Sequence, residues 1–176
     1  MATEQLRLVD GTIVRKCPTD KPLYCSRAGK FYSVHNAILT DDGWVLREIK
    51  PVLKQSGTRK CTYTNGNGTH YPFMRNFANK HCHFLVAAAW LGSRPDGMVI
   101  DHINGDILNW SADNLEYVTP TENRKRAVIL RAMRKNGIDP KQYTQARLKA
   151  IFASYDLDPG TLDSRMERDM SRHAEI

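Results

Sequence analysis

The sequence predicts an α+β fold, and three observations carry this prediction. Short runs of β-forming residues separated by turns fill most of residues 22–80. An apolar, alanine-rich run at residues 83–91 has the length and character of one buried helix. Residues 98–137 then follow the order strand, turn, strand and capped helix. These patterns divide the chain into a β-rich region (1–80), a mixed core (81–137) and a helical region (138–176).

The first 80 residues predict a small antiparallel sheet, although residues 1–22 carry little signal. Tyr24 and the run 31–34 supply β-formers on either side of a turn at 28–30. The sequence Asn-Gly-Asn-Gly at 65–68 predicts a hairpin between the runs 61–63 and 71–73.

The helix that follows residue 118 has an explicit start. Thr119 is placed as the N-cap, Pro120 occupies the first helical position, and Glu122 completes a capping-box pattern. Gly137 predicts the end of this helix, because glycine readily adopts the left-handed conformation that closes helices. A further helix is predicted at residues 142–154.

The net charge of +7 indicates a polyanionic partner, either nucleic acid or an anionic membrane surface. The apolar run 84–91 is far shorter than the roughly 20 residues that span a bilayer, which disfavours a membrane protein. The first twelve residues lack the apolar stretch of a signal peptide. We therefore expect a cytoplasmic protein with reduced cysteines and no membrane partner.

Positive charge is concentrated in residues 124–150, where the only acid is Asp139. A solvated helical face is the simpler interpretation, but such faces usually interleave acids with their bases. The scarcity of acids favours phosphate contact, and we expect it first at the three consecutive residues Arg124, Lys125 and Arg126. The basic residues of the segment are Arg124, Lys125, Arg126, Arg131, Arg134, Lys135, Lys141, Arg147 and Lys149.

The four cysteines form no Cys-x-x-Cys pair, so a structural zinc site has little support. Cys82 lies between His81 and His83 and would have to meet Cys61 to build one. A zinc-stabilised interaction module is kept as an alternative on that basis.

Asp101, His102 and Asn123 are the candidate chemical residues. A carboxylate and an amide oxygen suit Mg²⁺ or Mn²⁺, which keep waters and accept phosphate oxygens. A neutral histidine beside such an ion is able to take a proton from water. Spacing alone leaves a purely structural role for Asp101 and His102 open.

The run from His83 to Arg126 closely resembles the HNH endonucleases, and most of all the branch found in phage homing endonucleases. The similarity lies in HFLVAAAWLG, IDHINGD and NLEYVTPTEN, which recur in the family's order. The resemblance implies a ββα-metal nuclease core that hydrolyses phosphodiester bonds in double-stranded DNA. It assigns Asp101 and Asn123 as ligands of one Mg²⁺ or Mn²⁺ ion and His102 as the general base.

The resemblance also implies roles around this centre. Asn114 corresponds to a structural residue that braces the loop between the two strands so that His102 is aimed. His83 matches the histidine that opens the preceding helix, where a packing or capping role and a catalytic role both stay open. Asn123 stands where many family members have histidine, and Trp110 replaces the second residue of a usual Asn-Asn pair.

Two outer regions resemble DNA-contacting parts of the same branch. Residues 24–33 are similar to an element that opens a sheet lying against DNA. The resemblance suggests such a surface for Arg27, Lys30, Lys54, Arg59 and Lys60, and scattered solvent-facing charges stay open as the alternative for each of them. Residues 150–176 read either as a helix-turn-helix or as an ordinary packing pair. In the first case Arg165 and Arg168 would face a groove.

The leading interpretation is therefore a metal-dependent DNA endonuclease of phage or mobile-element type. A non-catalytic DNA-binding protein on an HNH scaffold is the alternative. Whether the protein is a monomer or a homodimer, and hence whether it nicks or cuts both strands, stays open.

Overall fold

A computed structural model describes residues 4–52, 71–78 and 80–155 of the chain. The chain divides into two compact units that interleave in sequence. The first comprises Met1–Ser93 and Ile107–Leu115, and the second comprises Arg94–Asp106 and Glu116–Ile176. The units interleave because the loop at 107–115 belongs to the first unit, and the division into three regions stays a prediction.

The first unit is built on a five-stranded antiparallel sheet in which each strand pairs with the next in the chain. Alternation of side chains gives the sheet two different faces. On one face Val14, Tyr24 and Tyr32 form a buried cluster with Leu8. The strands are β1 (Gln5–Arg7), β2 (Ile13–Lys16), β3 (Leu23–Ser26), β4 (Phe31–Thr40) and β5 (Gly43–Ile49).

A short hairpin and a helix complete the described part of the first unit. Strands β6 (Phe73–Met74) and β7 (Lys80–His81) pair with each other and lead directly into helix α1 (Cys82–Trp90). The helix packs against β2 and β3, and Trp90 donates a hydrogen bond from Nε1 to the carbonyl of Cys25 at 3.1 Å. Its apolar composition is explained by this burial.

The second unit contains the strand–strand–helix arrangement. Strands β8 (Val99–His102) and β9 (Leu115–Val118) form a two-stranded sheet, and helix α2 (Pro120–Lys135) follows and packs against β8. Helix α3 (Gln145–Ser154) closes the unit through a core shared with α2. The buried members of that core are Ile103, Ile129, Leu130, Ala132, Met133, Leu148 and Phe152.

The predicted mixture of an antiparallel sheet and helices is confirmed. The helix at 83–91 and the helix capped by Thr119 occur within a residue of their predicted bounds, whereas β1 and β2 lie in a region where the sequence predicted nothing. The predicted turn at 65–68 and residues 156–176 of the predicted helix-turn-helix or packing pair lie outside the described residues. Among the described helices, none has both the length and the apolar character needed to cross a membrane.

Candidate active site

Asp101 and His102 end strand β8, and both are almost fully buried, 7% and 6% exposed. Ile103, directly after them, enters the core between α2 and α3. Apolar residues on both sides, Val99–Ile100 before the pair and Ile103 after it, explain why the strand carries two polar residues into the interior. Buried polar side chains need partners, so their surroundings decide what they are able to do.

Asn123 lies in the first turn of α2, as the sequence predicts. Thr119 caps the helix by accepting a hydrogen bond from the backbone N–H of Glu122 at 3.1 Å, and Pro120 occupies the first helical position. The backbone N–H of Asn123 donates to the Thr119 carbonyl at 2.9 Å. Residues three and seven further along share its helix face. These are Arg126, which contacts Asp101, and Leu130, which is buried, so Asn123 is on the side of α2 that faces β8.

Arg126 joins three carboxylates. Its Nη1 donates to Asp101 Oδ2 at 3.1 Å and also to Glu116, while its Nε donates to Glu122 Oε1 at 2.9 Å. Only 11% of the Arg126 side chain is exposed. The guanidinium also lies over the ring of Phe152, 4.9 Å from the centroid.

This arrangement differs from the predicted role of Arg126 as a phosphate contact. The sequence interpretation treated it as one of three consecutive surface bases, whereas the fold brings carboxylates from β8 and β9 to it. A guanidinium held by three carboxylates in a buried position is a structural cation, so Arg126 is removed from the proposed DNA-contact residues.

Burial and ion pairing act against each other on the carboxylates of this cluster. Burial raises the pKa of the Asp101 carboxyl above its ordinary value, and the hydrogen bond from Arg126 opposes that shift without cancelling it. For Glu116 the balance is reversed. Burial would raise its pKa, but hydrogen bonds from Lys149 and Arg126 together lower it. Lys149 Nζ lies 2.6 Å from Glu116 Oε2 and ties α3 to β9.

His102 is held in its neutral form. Burial lowers the pKa of its imidazole to about 4, with a small opposing effect of Asp106. A neutral imidazole is the form that accepts a proton, so His102 is in the protonation state that a general base requires at pH 7.

The donor set predicted for a metal is chemically suitable. The Asp101 carboxylate and the Asn123 amide supply hard oxygen atoms, which Mg²⁺ and Mn²⁺ prefer. Burial disfavours the charge on Asp101, and a nearby cation would stabilise it. No group of three or more His, Cys, Asp or Glu side chains in the described ranges is arranged to hold a metal, so a two-ligand site would rely on water and phosphate for its other ligands.

Asn114 makes a backbone hydrogen bond of the kind predicted for it. It is fully buried, and its Nδ2 donates to the carbonyl of Asn109 at 2.8 Å. The bond closes the loop before β9. A second hydrogen bond, of 2.8 Å from the Ala112 N–H to the Arg27 carbonyl, attaches the same loop to the rest of the first unit. The influence of Asn114 on the aim of His102 stays a prediction.

Trp110 and His83 lie in the first unit. Trp110, which departs from the family pattern, donates from Nε1 to the carbonyl of Gly29 at 2.8 Å. Gly29 has φ +83° and lies so close to this indole that a Cβ atom would come within 2.6 Å of it. His83 lies in the first turn of α1 and forms an edge contact with Tyr71, with ring centroids 4.8 Å apart.

The basic segment 124–150 is less free than its sequence suggests. Beyond Arg126 and Lys149, Lys141 pairs with Asp106 at 2.9 Å, and Arg134 donates to the Gly105 carbonyl at 3.2 Å. The acids and carbonyls that satisfy these cations come from other elements of the second unit. Arg124, in contrast, is exposed and makes a weak hydrogen bond of 3.3 Å to Thr121.

The sequence interpretation missed Glu116 altogether and gave Lys149 no acidic partner. The spacing of Glu122 and Arg126, four residues apart, was a usable signal for a helical ion pair. No local signal linked residue 116 to residue 149. Arg165 and Arg168, together with Lys54, Arg59 and Lys60, lie outside the described residues.

Comparisons with known proteins found two similarities. Residues 80–125 match a family described as HNH endonuclease. A similar protein of Bacillus subtilis (strain 168) is named "SPbeta prophage-derived putative HNH homing endonuclease YosQ" and is 36% identical over 81 residues, 44% of this chain. The alignment covers 46% of that protein, so the chain spans about half the length of the relative it matches. No solved structure is significantly similar. Asp101, His102 and Asn123 lie within the segment that matches the HNH endonuclease family.

Proposed function

We propose that the protein is a metal-dependent endonuclease that hydrolyses phosphodiester bonds in double-stranded DNA. The observation that carries the proposal is the buried pair Asp101–His102 on β8, packed against the helix whose first turn holds Asn123. This arrangement falls inside the segment that matches the HNH family. It supplies a charged oxygen ligand, an amide oxygen and a neutral base within one unit of the fold.

Asp101 and Asn123 are the proposed ligands of one Mg²⁺ or Mn²⁺ ion. When bound, such an ion stabilises the negative charge that develops on the scissile phosphate and its leaving oxygen. Asp101 is positioned by Arg126 and by the end of β8, and Asn123 by the capped start of α2. Both ligands thus project from regular elements whose ends are held by hydrogen bonds, which favours a precise site.

His102 is the proposed general base. Its neutral imidazole would accept a proton from the water that attacks phosphorus. The backbone of β8 places it directly beside Asp101 in the chain, and its low exposure keeps bulk water from competing for it. Loss of a general base typically costs a factor of roughly 10² to 10⁴ in rate.

Contacts to the DNA backbone are proposed for Arg124 and Lys125 at the start of α2 and for Arg165 and Arg168 near the C-terminus. For Arg124, exposure and the absence of an ion pair within the described part of the chain support the assignment. Replacing Arg124 and Lys125 by glutamine should weaken binding and flatten its dependence on salt, by about 0.9 in logarithmic slope for each phosphate that the variant no longer neutralises. An unchanged slope would remove both residues from the interface.

A cleavage assay tests the central proposal. Supercoiled plasmid is incubated with the protein in Mg²⁺, in Mn²⁺ and in EDTA, and the assay is repeated with His102→Ala and Asp101→Asn. His35→Ala is the matched control, because His35 is exposed on β4 in the other unit. We expect cleavage only with metal, loss of cleavage in both site variants, and full activity in the control.

The same assay separates the alternatives. Cleavage in EDTA, or full activity of His102→Ala, would contradict the mechanism. Tight duplex binding with no cleavage under any condition would favour the non-catalytic DNA-binding alternative. Relaxed circles as the sole product indicate a nicking monomer, whereas linear plasmid indicates paired cuts by a dimer. The name of the Bacillus relative motivates the narrower proposal of a homing role in a phage or mobile element.

A further inference from the structure

A cavity of about 320 Å³ in the first unit is surrounded by positive charge. Four basic side chains line it, and no carboxylate does among the residues that the structure describes. We propose that this cavity binds a phosphate of the DNA backbone, at a site separate in sequence from the nuclease segment. The inference rests on the proposed function for the source of the phosphate. The basic residues are Lys21, Arg47, Lys50 and Arg75.

The ion pairs distinguish these bases from several other cations of the first unit. Elsewhere in the first unit, Lys16 pairs with Glu4 at 2.7 Å, and Arg27 bonds to Asp113 at 2.8 Å. Of the four cavity bases, Lys50 pairs with Glu48. The other three have no ion pair within the described ranges. The like charges of these three bases repel one another, and an anionic ligand relieves that repulsion.

The sheet places two of the lining residues, Ser33 and Arg47, on one face. Leu23 pairs with Ser33 across β3 and β4, and Ser33 pairs with Arg47 across β4 and β5. Directly paired residues of adjacent strands point to the same side of a sheet, so the Ser33 hydroxyl and the Arg47 guanidinium open on the same side. The segment after β6 contributes Arg75 and the amide of Asn76 to the cavity lining.

The chemistry and the size fit a phosphodiester. Arginine presents a planar pair of N–H donors that matches two phosphate oxygens, and lysine adds a mobile point charge. The cavity holds roughly ten water molecules at about 30 Å³ each, which leaves room for a phosphate and part of its sugar. Apolar side chains of the lining, among them Met74 and Phe77, would contact the sugar.

Duplex binding measured in EDTA tests the inference without cleavage. Fluorescence anisotropy of a labelled duplex of about 30 base pairs is recorded over a range of KCl for the full chain and for the double variant Arg47→Gln/Arg75→Gln. The matched control, Lys16→Gln/Lys141→Gln, removes the same charge from cations that pair with acids. We expect roughly tenfold weaker binding of the cavity variant and a salt slope smaller by about 0.9, against little change in the control.

Every outcome bears on the site. Equal slopes and affinities in the two double variants would overturn it. A second outcome concerns inorganic phosphate. If it raises the melting temperature of the full chain but not of the cavity variant, and the salt slope of duplex binding is unchanged, the cavity binds a free phosphate and the DNA assignment is overturned. If the glutamine variant does not fold, Arg47→Lys/Arg75→Lys takes its place. It keeps the charge, so binding should weaken while the slope is retained.

The plasmid assay separates this inference from the proposed function. Duplex binding that depends on the cavity, without cleavage in Mg²⁺ or Mn²⁺, would retain the phosphate site and remove the nuclease function. Metal-dependent cleavage by a cavity variant whose duplex affinity and salt slope match the wild-type values would retain the nuclease function and remove the phosphate site.

Discussion

Replacing Arg126 by methionine should destabilise the second unit severely. Methionine keeps most of the apolar stem that packs near Phe152 but removes the charge shared by Asp101, Glu116 and Glu122. The three carboxylates differ in how far solvent or another cation can stabilise their negative charge once Arg126 is gone. Their exposures, together with the position of Lys149, set the size of the effect.

The destabilisation falls mainly on Asp101. Its side chain is only 9% exposed, and Arg126 is its one ion-pair partner in the described part of the chain. Glu116 retains Lys149, and Glu122 is 33% exposed and able to turn to water. Removing one partner of a buried ion pair costs about 3–5 kcal/mol, and the partial compensation here favours the lower end, about 3 kcal/mol. Removing the cation from the Phe152 ring adds about 0.5–1 kcal/mol.

Urea unfolding at pH 7 measures this destabilisation. Far-UV circular dichroism follows the helices, which are concentrated in α2 and α3 of the second unit, whereas Trp44, Trp90 and Trp110 all lie in the first unit. The dichroism transition should therefore shift most. Arg124→Met is the matched control on the same helix, because Arg124 is exposed, and its cost should stay below about 0.5 kcal/mol.

The pH dependence of the effect has a defined sign. Burial already raises the pKa of Asp101 in the folded protein, and removing Arg126 raises it further. A carboxyl with a raised folded pKa stabilises the fold when it is protonated, so the deficit of the variant should shrink as the pH falls toward the ordinary value of 3.8. Equal destabilisation by Arg126→Met and Arg124→Met, or a deficit that does not change with pH, would refute the account of Arg126 as a buried structural cation.

Three further predictions concern the site and its supports. As the pH falls from about 6.5 to about 4, metal-free wild-type protein in EDTA should lose up to about 3 kcal/mol of stability relative to His102→Gln. The reason is that the imidazole binds a proton in the unfolded protein, whereas the buried imidazole of the folded protein excludes it. Parallel pH profiles of the two proteins would contradict the lowered pKa of His102. Asn114→Ala should cost about 1–3 kcal/mol in urea unfolding and Asn114→Asp should not rescue it, because a carboxylate has no N–H to donate; a neutral alanine variant would argue against the brace. Thr119→Ala should cost about 1 kcal/mol by thermal unfolding and Thr119→Ser should restore it, whereas an equal cost in both variants would show that the cap is not the cause.

Local signals predicted the elements around the site correctly. The apolar run at 83–91 and the capping pattern at Thr119 each depend on neighbours a few residues apart, and both occur as expected. Strands β1 and β2 left no such signal, because a strand of three or four residues is defined by its partners rather than by its own composition.

Charge was the least predictable property. The sequence of residues 124–150 shows nine bases and one acid, which favoured a phosphate-binding face. In the fold, Asp101 and Glu116 arrive from other elements and pair with Arg126, while Asp106 pairs with Lys141. A count of charges along one segment cannot include partners that are distant in the chain.

The amino-acid sequence was sufficient to propose the chemical groups of the candidate site. Asp101 and His102 are adjacent in the chain and Asn123 follows a cap, so strand and helix geometry alone places them, and the family match covers the same residues. The pairing of Arg126 with Asp101, and the four bases of the first unit that surround one cavity, became visible only in the folded chain. Ion pairs and cavities arise where distant elements meet, because neither burial nor charge balance is a local property of the chain.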